Sequence, residues 1–355
     1  MSSSAQVTLE LTPQSPLDII NVNECVSNQF GDPLSDYSKT LYYSYHTTAG
    51  YFDQNLCAQL GHSSEALRAL VLAFLRLFPP KGAYRHDQLH LRHELNDEER
   101  KQEPLNAHSH LAFISSGLTN CAVYPNRTGI PVYFVDLDGI WKDVKRRRRT
   151  TVVGFNRETV VDRKKLSIPV SSHPVDSVNL KDSRLGFSDW LEELVDQLGI
   201  VTGRIDIALA PEEQHAGLTV NEYETLLMKH DLAEVLGNPL GFMAEKGKHL
   251  LGDPRAIPAK AMDYAKYDLV RVINEVVDAL GLSDSVFERM VNRFLAAPAG
   301  HFLGMKRSLS LLISDEDGDG KGSIVEGAYQ SPILVQWEKA RAHTRQLEIA
   351  LVRFE

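Results

Sequence analysis

Seven of the thirteen histidines, at positions 46, 62, 86, 90, 93, 108 and 110, fall between residues 46 and 110. Imidazole is the only side chain that titrates near neutrality unperturbed, and it is the commonest metal ligand. Three of the seven stand out by their surroundings. His46 closes an aromatic, β-branched run and is followed by Thr47 and Thr48; His86 follows Tyr84-Arg85; His110 follows His108-Ser109. Brought together, these residues could do one of two things. As imidazolium beside hydroxyls they would hold a phosphate and stabilise charge on a leaving group. As neutral imidazole they would act as general base, or ligate a divalent metal together with an aspartate. The spacing is neither HExxH nor a zinc-finger pair, so both chemistries stay open beside the plain alternative of surface and capping histidines. Were 86–93 helical, His86, His90 and His93 would share a face.

Residues 315–326 carry a second pattern. Asp315, Asp317, Asp319 and Glu326 occupy positions 1, 3, 5 and 12 of a calcium loop, with Gly320 at position 6. The flanks do not fit: SLSLLIS before it is a strand sequence, and Gly322 stands where an apolar residue belongs. An acidic, glycine-rich turn between two strands is the simpler reading, with calcium as the alternative. The basic run Lys145–Arg149 reads as an exposed edge or an anion-lining face in preference to a targeting signal.

The elements that must position these residues divide the chain of 355 into two domains. Residues 1–158 read as α+β, with strands at Val7–Leu11, Lys39–His46, Ala112–Val123, Val132–Leu137 and Thr150–Phe155. Helices are expected at Asp18–Gln29 and, most strongly, at Ser64–Phe78, which Pro79-Pro80 stops. Residues 159–184 look like a linker or irregular arm. Residues 185–355 look mostly helical, with helices at Ser188–Leu198, Thr219–Leu236, Pro258–Leu280 and Ser285–Ala297 and a few strands, and apolar positions such as Val272, Val276 and Leu280 at core spacing. Thr219-Val-Asn-Glu222 reads as a capping box. No internal repeat of 20–50 residues is visible.

Composition narrows the function classes. With 43% hydrophobic and 24% charged residues the chain is a globular protein with material for a sizeable core. No run of 18 apolar residues supports a membrane span, and no basic start with an apolar stretch suggests secretion. Three cysteines without a CxxC pair point to reduced thiols and the cytoplasm. The net charge of −9 is uneven: residues 1–150 hold 15 basic against 16 acidic side chains, leaving −8 for the remainder. An acidic second half argues against nucleic-acid binding and leaves a small anionic substrate as the expected partner of the first.

The first 155 residues resemble the YjbQ family, whose members are described as secondary thiamine-phosphate synthases. The resemblance runs in order through VTLEL, YHTTAG, FLRLFPP leading into AYRHD, NAHSHLAFISSGL, and VYFVDLDG followed by KRRRRTTVVGF. It implies an α+β fold with strands around a long helix, a homo-oligomer (usually a trimer) and a pocket near the interface. Carried over, His46, His86 and His110 are the site histidines, with Thr47, Thr48, Asp53, Asp136, Asp138 and Arg146 as substrate-binding residues. A metal on the three histidines is the alternative. Some positions depart from the pattern. The family's Asn-Glu pair about nine residues after its first histidine is Asp53-Gln54-Asn55 here, its Gly-Thr-Trp-Gln is Gly129-Ile-Pro-Val132, and the lysine after Ala-His-Leu is Ala112. The expected function is an enzyme acting on an anionic, phosphorylated small molecule. The alternative is a non-catalytic ligand-binding or assembly protein.

Overall fold

The computed structural model describes residues 4–80, 82–92, 95–223, 231–237, 242 and 305–355. The protein is mixed α/β and divides into two compact units, neither of them one continuous segment. The first comprises Met1–His62, Leu118–Asn221 and Lys306–Glu355; the second comprises Ser63–Gly117 and Glu222–Met305. The expected linker at 159–184 thus lies inside the first unit.

The chain begins with β1 (Ser4–Leu11), β2 (Asp18–Asn21), α1 (Val22–Phe30), β3 (Lys39–Ser44), β4 (Ala49–Gly50) and α2 (Gln54–Gln59). It then builds part of the second unit with α3 (Ser64–Leu77), α4 (Asp97–Gln102) and α5 (Ala107–Ser116). The first unit resumes with β5 (Cys121–Pro125), β6 (Tyr133–Asp136), the small hairpin β7 (Ile140–Trp141) and β8 (Val144–Lys145), then β9 (Arg148–Phe155), β10 (Glu158–Pro169) and β11 (Asp176–Asn179). After these come α6 (Phe187–Gln197), β12 (Gly203–Leu209) and β13 (Ala216–Asn221). The second unit adds α7 (Leu232–Gly237), and β14 (Ser308–Ser314), β15 (Ser323–Val325), β16 (Ser331–Gln336) and β17 (Thr344–Phe354) complete the first.

Two antiparallel sheets dominate the first unit, in the orders β1-β9-β3-β5 and β10-β17-β12-β14-β15. Smaller sheets run β2-β6-β4 and β11-β16-β13. Leu41, Tyr43, Val153 and Phe155 of the first large sheet pack on Leu312, Val325, Val352 and Phe354 of the second. The rings of Phe155 and Phe354 stack at 4.0 Å and 4°. Polar keys cross the same contact: Tyr43 Oη donates to the Val325 carbonyl, and Gln330 Nε2 donates to the Ser44 carbonyl. Gly327 comes so close that a Cβ there would stand 1.9 Å from the Tyr45 carbonyl oxygen. On the second sheet's other face, Phe187, Leu191 and Val195 of α6 join Ile205, Ile207, Leu347 and Ile349, the apolar stripe expected of an amphipathic helix.

Several expectations are corrected. The supposed linker holds β10 and β11. β10 is an edge strand, mostly exposed, with a register shift between Val160 and Asp162. Its lysines and arginine are the charges that edge strands carry, which gave it the polar texture of an arm. The described part of 185–355 is not mostly helical: it carries six strands, β12 to β17, against α6 and α7. The run from Ala112 begins inside α5, where residues 109–116 are all buried, so burial on every side erases the helical period. Asp18–Asn21 is a strand that precedes α1. Thr219 lies in β13, whose six residues are all buried, so it caps no helix. The helices expected at Pro258–Leu280 and Ser285–Ala297 lie outside the described residues, as does His93. His90 sits exposed in a single 3-10 turn, Leu89–Leu91, and so shares no helical face with His86. Among the described residues no helix is long and apolar enough to cross a membrane.

Candidate metal centre and a second polar corner

In the second unit, α3 is capped by Ser63, whose hydroxyl accepts from Ala66 N–H at 3.3 Å, and the two prolines stop it. The chain then turns at Tyr84, buried with its hydroxyl on the Pro79 carbonyl, and delivers His86 to the interior. Asp231, fully buried, fixes this turn by accepting the backbone N–H groups of Arg85 and His86 at 3.0 and 2.8 Å. Asp87 stands 3.2 Å from His86 Nδ1 and accepts the Ala107 N–H at 3.0 Å through the same oxygen. One carboxylate therefore ties the His86 ring to the first turn of α5, the helix that carries His110. The two rings lie 5.1 Å apart, at 0% and 1% exposure.

Glu222 completes the group. One of its oxygens is 3.3 Å from His110 Nε2, while the other faces Arg92 at 3.4 Å. Arg92 is itself buried and pairs with Glu103 at 2.7 Å. Donor atoms of His86, His110 and Glu222 all lie within 4.8 Å of one another, the only such group of three or more among the described residues. Two imidazoles and a carboxylate are the donor set of catalytic zinc sites and of non-haem iron sites. Asp87 at Nδ1 would leave Nε2 of His86 as the ligating atom, the carboxylate–histidine arrangement that orients metal-bound imidazole. Nearby His108 has its pKa lowered chiefly by burial and further by His86, against the pull of Asp87.

The other predicted residues gather in the first unit. Arg148 is 2% exposed; its guanidinium meets both oxygens of the buried Asp136 at 2.7 Å and donates to the Asp138 carbonyl at 2.8 Å. Thr48 Oγ1 lies 3.5 Å from the same group, and Arg146 pairs with the Asp138 side chain. His46 Nε2 accepts the Arg149 backbone N–H at 2.7 Å. Burial first, then Arg148 and Arg146, lower the pKa of His46 to about 3, so the ring is a neutral acceptor. Thr47 offers its carbonyl to Asn221 Nδ2. Asp53 caps α2 and pairs with Lys306 at 3.6 Å, a structural post.

The predicted set is thus divided: His86 and His110 form the centre of the second unit, while His46, Thr48, Asp136, Asp138 and Arg146 form a hydrogen-bonded corner of the first. The four acids of the calcium pattern do not converge. β14 and β15 pair as a hairpin around 315–322; Asp315 accepts the N–H groups of Asp319 and Gly320, and Glu326 pairs with Lys181, which is the acidic turn of the simpler reading. Asp87, Asp231 and Arg92 carry no site signal in the sequence, and Arg148, in the basic run expected at an exposed edge or anion-lining face, is instead buried with its charge taken by Asp136. Glu222 stands in a sequence pattern that also reads as a capping box.

No family model matches the chain, and no curated protein matches it. Similar solved structures include a YbjQ-like protein of unknown function from Sulfolobus solfataricus P2, at 15% identity and a TM-score of 0.29 over 56% of this chain and 99% of that one. A hypothetical protein from Aeropyrum pernix K1 is similar at 15% identity and a TM-score of 0.28, over 54% and 98%. A protein of the YjbQ/UPF0047 family from Clostridium acetobutylicum is similar at 14% and 0.27, over 53% and 98%. Two of these three carry a YbjQ-like or YjbQ-family description.

Proposed function

We propose that the protein is a metal-dependent enzyme acting on an anionic, phosphorylated small molecule, with the metal on His86, His110 and Glu222. The observation that carries the reading is the convergence of those three donors within 4.8 Å in a buried site, with Asp87 and Arg92 holding the first and last in orientation. A divalent ion there would polarise a phosphoryl or carboxylate oxygen, or lower the pKa of a bound water. In the ligand shell itself a divalent ion would exceed the single carboxylate of Glu222 by one positive charge, which an anionic donor from the substrate would neutralise. Three protein donors are one short of tetrahedral zinc, so substrate or water would complete the shell.

The rival arrangement is a buried His110–Glu222 ion pair with no metal, since 3.3 Å also suits a long charge-assisted contact. Elemental analysis of the purified protein, repeated after dialysis against chelator and reloading with zinc, manganese or iron, separates the two. A stoichiometric ion lost in His110→Ala, with a chelator-sensitive melting temperature in the wild type, is the expected result. A wild-type protein that takes up no ion, and whose melting is indifferent to chelator, would refute the metal reading.

A further inference from the structure

The two large sheets of the first unit have the same topology. β1-β9-β3-β5 matches β10-β17-β12-β14, and the small sheets β2-β6-β4 and β11-β16-β13 match in the same chain order. In the small sheets the registers agree residue by residue. On β6, Asp136 stands between Asp18 and Ala49, and Val135 pairs with Gly50. On β16, Gln336 stands between Asp176 and Ala216, and Val335 pairs with Gly217. Each half also has a buried arginine making the same two contacts. Arg148 takes the Asp136 side chain and the Asp138 carbonyl; Arg345 takes the Gln336 side chain and the Glu338 carbonyl. Phe155 and Phe354, the last residues of the matching strands β9 and β17, stack on one another where the two halves meet.

The second unit fits the same scheme. Its two segments, 63–117 and 222–305, interrupt the two halves at one place: after β4 and before β5, and after β13 and before β14. Counting six residues on from the matched alanines, Ala49 and Ala216, gives Asn55 and Glu222. Asn55 is exposed on α2 and has no carboxylate.

We infer that the chain is a tandem duplication, residues 4–155 and 158–354, and that its repeats have divided one site between them: the first supplies His86 and His110, the second supplies Glu222. This rests on the metal reading above and makes it more specific. Among the described residues the chain holds one composite centre; a reciprocal centre would need an acid at position 55, where Asn55 stands.

The test is metal stoichiometry on the full-length protein and on His86→Ala, Glu222→Gln, Glu222→Ala and Asn55→Ala, with circular dichroism confirming that each variant is folded. Glu222→Gln preserves volume and the hydrogen bond to Arg92, so it reports on the carboxylate if the alanine variant misfolds. The expected result is one ion per chain in the wild type and in Asn55→Ala, with at least a tenfold loss of affinity in His86→Ala and Glu222→Gln. One ion lost from His86→Ala but kept by both Glu222 variants would overturn the division of the site while leaving a histidine metal centre standing. Two ions per chain would overturn it as well, because both centres would then be intact. No ion in the wild type would overturn this inference together with the metal reading.

Discussion

Acidification should unfold this protein earlier than its carboxylates alone require, and His46 is the reason. Its Nε2 lone pair accepts the Arg149 N–H at 2.7 Å, and protonation would remove that acceptor while placing a cation beside Arg146 and Arg148. The pKa falls from 6.5 to about 3, whereas the unfolded chain titrates near the ordinary value. The folded state therefore holds the full benefit above pH 6.5 and loses it as the pH drops from 6.5 toward 3, because the unfolded state takes up the proton first. Each unit of separation is worth about 1.4 kcal/mol, so the loss between pH 6.5 and pH 5 is roughly 2 kcal/mol. That is an upper figure, because the ring keeps some contact with water. Urea unfolding of wild type and His46→Gln at pH 7 and pH 5 measures it: glutamine can accept the same N–H and does not titrate. The wild type should lose about 1–2 kcal/mol more than the variant over that interval. Equal losses would refute the claim that His46 is buried as a neutral acceptor.

Two other substitutions probe the two polar groups. Arg148→Met leaves Asp136 buried without its partner, and should cost about 3–5 kcal/mol in denaturant unfolding; adding Asp136→Leu should recover much of it, and no recovery would mean that the arginine acts mainly through the Asp138 carbonyl. Asp87→Asn, which weakens the hold on His86 without touching a metal donor, should lower metal affinity by about 10–100-fold as read by competition with a chromogenic chelator.

Much of the first half was legible in the sequence because its strands advertise themselves. β3 and β9 are β-branched and aromatic, and α3 has both its amphipathic period and its proline stop. β17 carries the same kind of signal: its residues alternate between partly exposed and buried almost throughout. What stayed hidden did so for physical reasons. β10 carries edge charges, α5 and β13 are buried on every side, and neither leaves a period to read. The duplication was invisible because its two halves conserve hydrogen-bond register, which a sequence records only in scattered coincidences such as Asp18 with Asp176 and Ala49-Gly50 with Ala216-Gly217. Glu222 was out of reach for a related reason, lying 112 positions from His110 in a pattern that also spells a helix start.

Gly327 shows how the two halves constrain each other's drift. A single added methyl there would collide with the backbone oxygen of Tyr45, one residue before His46, and Gln330, three residues on, donates to the carbonyls of both Ser44 and His46. The strand end that presents the histidine is therefore seated in a notch cut by the opposite half, which has no histidine of its own at the matching place. A replacement at position 327 would disturb residue 46 from 281 positions away. Freedom to vary in the 323–331 stretch is limited by what its partner must hold still, so wear in one copy of the fold is felt first in the other.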